Sequence, residues 1–147
     1  MNIGISVQFN TYIPSHSHSL SKMAQTQTTT IEHIYLINNE YEWQGYNIVM
    51  SDKSKNIICK ISNIENCCEK FGICTKNDLQ SFVGAEYKSI TTKTHEDPDN
   101  YDCMRIVDVA IQTNRGEILI QLYNEHNGYY PHDFFVQSEH GTKLESL

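Results

Sequence analysis

Val107, Val109 and Ile111 alternate with Asp108, Ala110 and Gln112, and Ile118, Ile120 and Leu122 alternate with Leu119, Gln121 and Tyr123. Successive side chains of a strand leave opposite faces, so this period of two predicts half-buried strands over 106–111 and 118–123. Asn114-Arg115-Gly116 between them fits a tight hairpin turn with glycine at a positive φ. Asn127-Gly128 is a second turn of that kind and leads into a strand from Tyr129 to Val136, so the last third reads as a meander. Upstream, Ile31 to Ile37 is β-branched and aromatic, and Asn38-Asn39-Glu40 is turn chemistry. Tyr41 to Met50 resumes the strand pattern, with Gly45 as a candidate bulge, and the polar turn Ser51 to Asn56 precedes Ile57 to Ile61. Those two runs form a predicted hairpin, and Glu86 to Thr94 is a further strand.

The texture changes between these halves. Residues 66–74 fit neither a strand nor a helix pattern. Thr75 followed three residues on by Asp78 resembles a capping box, Leu79, Phe82 and Val83 stand at helical spacing, and Gly84 can end the segment. The spacing predicts a helix over 77–83, covering a sheet face through Leu79, Phe82 and Val83. The expected fold class is therefore α+β: mainly antiparallel sheet in two hairpin-rich halves with one short helix. Asn2 to Phe9 alternates loosely as a short strand, and the stretch from Asn10 to Thr30 is rich in Ser, Thr, Gln and His. This gives an N-terminal strand and polar arm over 1–28, a single domain over 29–138 and a polar tail over 139–147.

Composition narrows the function classes. A chain of 147 residues and 17.0 kDa suits one ordinary domain. Eighteen acidic against eleven basic residues leave a net charge of -7, with only Arg105 and Arg115 as arginines. Phosphate-binding surfaces need clustered Lys and Arg, so neither nucleic acid nor an anionic membrane is an expected partner. No apolar run approaches the ~18 residues of a membrane span, and Met1 to Leu20 lacks the charged and apolar regions of a secretory signal. Five cysteines, Cys59, Cys67, Cys68, Cys74 and Cys103, cannot all pair, and no N-x-S/T acceptor occurs. The expectation is free thiols in a reducing, intracellular compartment. Abundant Asn, Ile, Lys and Tyr suggest an A+T-rich coding genome.

The chemistry-bearing residues are few. Adjacent Cys67 and Cys68 with Cys74 lack the paired knuckles of a structural zinc site and read as small hydrophobes or strand-end residues. Glu125, His126, His132 and Asp133 flank the Asn127-Gly128 turn, and two imidazoles with carboxylates suit a transition metal. The bland reading leaves them as solvated polar groups. His95-Glu96-Asp97-Pro98-Asp99 lacks the glycine and terminal glutamate of a calcium loop, and His16 and His18 are an isolated pair. Tyr41, Trp43 and Tyr46 crowd one strand, and Tyr129-Tyr130 with Phe134-Phe135 crowd another. Two-sided strands must turn some aromatics outward, which makes Tyr41, Trp43 and Tyr46 interface candidates. No dinucleotide fingerprint, P-loop or H-E-x-x-H motif is present.

Asn66-Cys67-Cys68-Glu69, then Asp78-Leu79 leading to Val83-Gly84-Ala85-Glu86, then His126-Asn127-Gly128-Tyr129-Tyr130 form an ordered set. It resembles an uncharacterised family of small β-rich domains of phages, bacteria and large DNA viruses, with D-C-C-E, D-L-I-G and S-N-G-Y-Y-S motifs. This chain carries Asn66, His126 and Pro131 where that pattern has Asp, Ser and Ser. The resemblance marks Cys67, Cys68, Glu69, Asn127, Gly128, Tyr129 and Tyr130 as a shared structural motif, implies no cofactor or catalytic residue, and with the composition suggests a large DNA virus.

The leading expectation is a small, soluble, non-enzymatic viral accessory protein of the host cytoplasm. It would act by protein contact as a homodimer without a cofactor. The alternative is a metal-dependent hydrolase or nuclease using Glu125, His126, His132 and Asp133. A third reading is an acidic decoy for a nucleic-acid-binding protein.

Overall fold

The computed structural model describes residues 27–39, 42–65, 69–97, 104–125 and 131–147. Its strands are β1 (Ile31–Asn39), β2 (Trp43–Met50), β3 (Ile57–Ser62), β4 (Lys70–Thr75), β5 (Tyr87–Glu96), β6 (Met104–Thr113), β7 (Gly116–Glu125), β8 (Asp133–Ser138) and β9 (Gly141–Ser146). They form a five-stranded sheet in the order β1-β2-β3-β8-β9 and a four-stranded sheet in the order β4-β7-β6-β5. Every strand pairing is antiparallel.

The alternation in the sequence accounts for the core. Val107, Val109 and Ile111 of β6 and Ile118, Ile120 and Leu122 of β7 are buried, and register pairs Val109 with Ile120 and Ile111 with Ile118. Facing them, Ile48, Met50, Ile57, Cys59, Ile61, Phe134 and Val136 of the larger sheet complete one apolar cluster. Polar and half-buried side chains take the alternate positions and face outward, as period-two burial requires. Burial pushes the Cys59 thiol up to about 12, so it behaves as a small hydrophobe.

The expected helix over 77–83 is not formed. Leu79–Phe82 is a single 3₁₀ turn, closed by Ser81 N–H to Asp78 O (3.1 Å) and Val83 N–H to Gln80 O (3.2 Å). Asp78 makes no side-chain cap, Val83 is already extended, and Gly84 sits at φ +84°. Four residues between these stops leave no room for the repeated i to i−4 bonds that sustain an α-helix. Leu79 and Phe82 do reach the core, so the pattern marked the buried side chains but not the backbone. The described architecture is two packed antiparallel sheets with short 3₁₀ turns.

Two further segments differ from expectation. Lys70–Thr75, which has no clean pattern, pairs with β7 as an edge strand. Gly141–Ser146, expected as polar tail, pairs with β8, and Leu147 beyond it is buried. A polar edge strand held by backbone bonds carries little hydrophobic signal. Gly45 is no bulge, since pairing runs regularly through it to Ile37 and Lys60. A Cβ there would meet Cys59 O at 2.1 Å and Lys60 Cα at 2.6 Å, so glycine answers a close backbone approach. The irregularity lies instead between Ile31 and His33. Gly116 has φ +117°, as its turn requires. The Asn2 to Phe9 strand, the polar arm up to residue 26 and the Asn127-Gly128 turn lie outside the described residues.

Candidate functional site

Asn124 is the last core-facing position of β7, paired with Phe71 of β4 and Arg105 of β6. At this end of the sandwich the apolar filling gives way to polar groups. His132, just before β8, stacks its ring on Phe71 with centroids 3.8 Å apart and an interplanar angle of 22°. Its Nε2 lies 2.7 Å from Oε1 of Glu69, and the two side chains are only 1% and 0% exposed. Asn124 Nδ2 donates to the Leu147 carbonyl at 3.1 Å. Leu147 and His132 exchange both backbone bonds, at 2.7 and 3.1 Å. Glu69, Phe71 and Asn124 belong to the four-stranded sheet and its approach, and His132 to the five-stranded sheet, so this cluster ties the layers together.

A carboxylate taken out of water is costly unless paired and hydrogen-bonded. Here the imidazole lies 2.7 Å from the carboxyl, although its Nε2 meets no acceptor in hydrogen-bonding geometry, and the Phe71 face shields the two. Such a pair orients one ring and one carboxylate rigidly, which is the physical basis of both structural clasps and oriented bases.

A second polar group lies on the outer face of the four-stranded sheet. Asp108 of β6 lies 2.9 Å from His95 Nε2 through Oδ2 and accepts Gln121 Nε2 at 2.8 Å through Oδ1. These three side chains come from β5, β6 and β7, and all are half-buried. Thus His95 is held by a sheet neighbour rather than by its own acidic loop. Glu96 pairs instead with Arg105 at 3.5 Å.

The proposed metal residues at 125–133 face different partners. Glu125 lies 3.7 Å from Lys70 Nζ, Asp133 accepts the Ser146 hydroxyl at 2.5 Å, and His132 is enclosed with Glu69. His126 lies outside the described residues, as do Cys67, Cys68, Asn127, Gly128, Tyr129, Tyr130 and Tyr41. Among the described residues, no three His, Cys, Asp or Glu side chains gather as a metal site would need. Cys59 and Cys74 are free thiols, the first buried and the second exposed.

Of the aromatic candidates, Trp43 lies on the outer face of the five-stranded sheet, where Lys60 Nζ sits 4.4 Å from its ring and 4.9 Å from that of Phe135. Tyr46 packs against the core instead. Burial raises its phenol above the ordinary range. Sequence reasoning singled out Glu69 and His132 for separate reasons and missed that they meet. Their contact depends on β4 and β8 lying in facing sheets, which no local spacing encodes.

Among the described residues, no helix is long and apolar enough to cross a membrane. A family profile described as a domain of unknown function, DUF7448, matches residues 18–136. No curated protein and no solved structure matches the chain.

Proposed function

The chain belongs to the DUF7448 family, whose description carries no activity, and for this member we propose a non-enzymatic module that works by protein contact as a homodimer. The observation that carries this reading is the outer face of the five-stranded sheet. Ile37, Trp43, Val49, Ile58 and Phe135 stand there half-buried, and Leu144 is 63% exposed. The registers Ile37↔Gly45↔Lys60↔Phe135↔Leu144 place three of them, Ile37, Phe135 and Leu144, in one row across all five strands. A contiguous apolar face with an aromatic centre is the usual composition of an interface core. Lys60 lies between the Trp43 and Phe135 rings, where its stem adds apolar surface and its charge meets two aromatic faces.

The protein would be soluble, viral and at work in the host cytoplasm. The A+T-type composition and the order of the C-C-E and N-G-Y-Y motifs support that source. The hydrolase alternative has less support, because Glu125, His132 and Asp133 are each engaged with a different partner.

Sedimentation of the purified full chain, combined with elemental analysis, tests the reading. A metal-free particle of twice the 17.0 kDa chain mass is expected. A monomer at every concentration, or stoichiometric zinc or manganese, would overturn it.

A further inference from the structure

We infer that the open half of the β1 edge pairs with the same edge of a second copy of this chain, joining two five-stranded sheets across a two-fold axis at Ile37. This rests on the proposed homodimer but seats the second copy at the sheet edge, which leaves the outer face around Trp43 for the contact with another protein.

The two halves of β1 are treated differently by the fold. Ile31 N–H donates to Ala85 O at 2.9 Å, and Ile31 O accepts from Gly84 N–H at 2.7 Å, so the first half is covered. After the irregularity between Ile31 and His33, the Gln80 side chain donates to Ile34 O at 3.3 Å. That contact identifies Ile34 as a residue whose backbone groups point away from β2. In an antiparallel ladder the direction alternates, so Leu36 and Asn38 also present N–H and C=O outward. Beyond the β1–β2 ladder, no backbone hydrogen bond reaches Leu36 or Asn38 among the described residues. The side chains beside them are uncovered as well: Leu36 is 68% and Tyr35 53% exposed.

An open edge is normally guarded by charge. The other sheet edges follow that rule, with Lys143 and Glu145 on β9, Lys70 on β4, and Lys88, Lys93 and Glu96 on β5. The open half of β1, Tyr35-Leu36-Ile37-Asn38-Asn39, has no acidic or basic residue. A two-fold axis brings a strand against its own sequence, and like charges directly opposite are destabilising. An uncharged edge is what self-pairing needs, whereas a charged peptide partner would find no counter-charge there.

The register follows from which groups are open. Centring the axis on Ile37 sets Leu36 opposite Asn38 of the second copy, and both residues exchange both backbone bonds. Centring it on Leu36 would call on Ile34, whose carbonyl already accepts from Gln80. In the Ile37 register the two Ile37 residues form a non-hydrogen-bonded pair, whose Cα atoms approach to about 4.5 Å. That spacing is within disulfide reach.

The test is sedimentation of the full chain beside variants, across a concentration series. The parent is expected at twice 17.0 kDa. Leu36→Pro removes a donor that faces outward and leaves the β1–β2 ladder intact, so it should run as a folded monomer. Leu36→Lys sets a charge at the open edge and should do the same if the proline variant fails to fold. Ile37→Cys in a Cys74→Ser background should form an intermolecular bridge mapped to position 37 of both copies under mild oxidation. A monomeric parent would overturn this inference and the homodimer together. A dimer that survives Leu36→Lys and gives no position-37 bridge would overturn the edge alone. Its loss on Trp43→Ser would then place the contact on the outer sheet face.

Discussion

His132 and Glu69 meet with Nε2 and Oε1 2.7 Å apart, both out of water, although one approaches β8 and the other β4. The pair therefore bridges the two sheets where the apolar core ends. Its partners Phe71, Asn124 and Leu147 close the same end by stacking and backbone bonds.

Both side chains fill a dry site, and His132 also stacks on Phe71. His132→Ala, which empties a buried ring site, should destabilise the fold by about 3 kcal/mol, and His132→Leu and Glu69→Leu should each destabilise it as well. Glu69→Leu combined with His132→Leu should lose less than the sum of the single changes, because the two side chains touch and their losses overlap. Urea denaturation of the four proteins in the cycle measures the coupling. Strictly additive losses would mean that the contact has no energetic role.

Gly45 and Gly116 are needed for different reasons, and alanine at each should show it. At Gly45 the added carbon meets backbone, Cys59 O at 2.1 Å, so two paired strands must separate. A loss of about 3 kcal/mol is expected, at the upper end for overpacking. At Gly116 the space is open and only the φ of +117° resists, so about 1–2 kcal/mol is expected. Thermal melts should rank Gly45→Ala well below Gly116→Ala.

Thiol chemistry should separate Cys59 from Cys74. Burial pushes the Cys59 thiol up to about 12 and hides it, whereas Cys74 is exposed on the outer face of β4. At pH 8 a disulfide reagent should label Cys74 in the native protein and Cys59 only after denaturation. Peptide mapping of the labelled sites gives the answer, and fast native labelling of Cys59 would contradict the core packing.

Tyr87 contributes to the alkaline end of the stability profile, together with Cys59 and Tyr46, whose values are also raised. Burial first, and then its hydrogen bond to Glu139, raise the phenol above its ordinary value of 10.0. A raised folded-state value means that the native protein holds this proton more tightly than the unfolded chain. The contribution is fully present below pH 10 and is lost as pH rises beyond it. Tyr87→Phe should flatten the fall in stability above pH 10, as followed by urea midpoints. An unchanged slope would assign the alkaline loss to another group.

What could be read along the chain is what is local. The period-two pattern of Val107 to Ile111 and Ile118 to Leu122, and the glycine turn between them, specify β6, β7 and their joining hairpin from neighbouring residues alone. The apolar spacing of Leu79 and Phe82 likewise identifies buried residues, even though Gly84 and the uncapped Asp78 leave only a 3₁₀ turn. The odd count of five cysteines also rules out pairing all of them within the chain, by arithmetic alone. Tertiary structure alone decided that β8 lies beside β3, that β4 faces the larger sheet, and hence that Glu69 finds His132. It also decided which strands are edges, so the open half of β1 cannot be told from a central strand by its residues. The reason is physical: pairing and burial are relations between distant segments, set by the total free energy of packing, whereas alternation and turn conformation are set by each residue's own sterics and immediate neighbours.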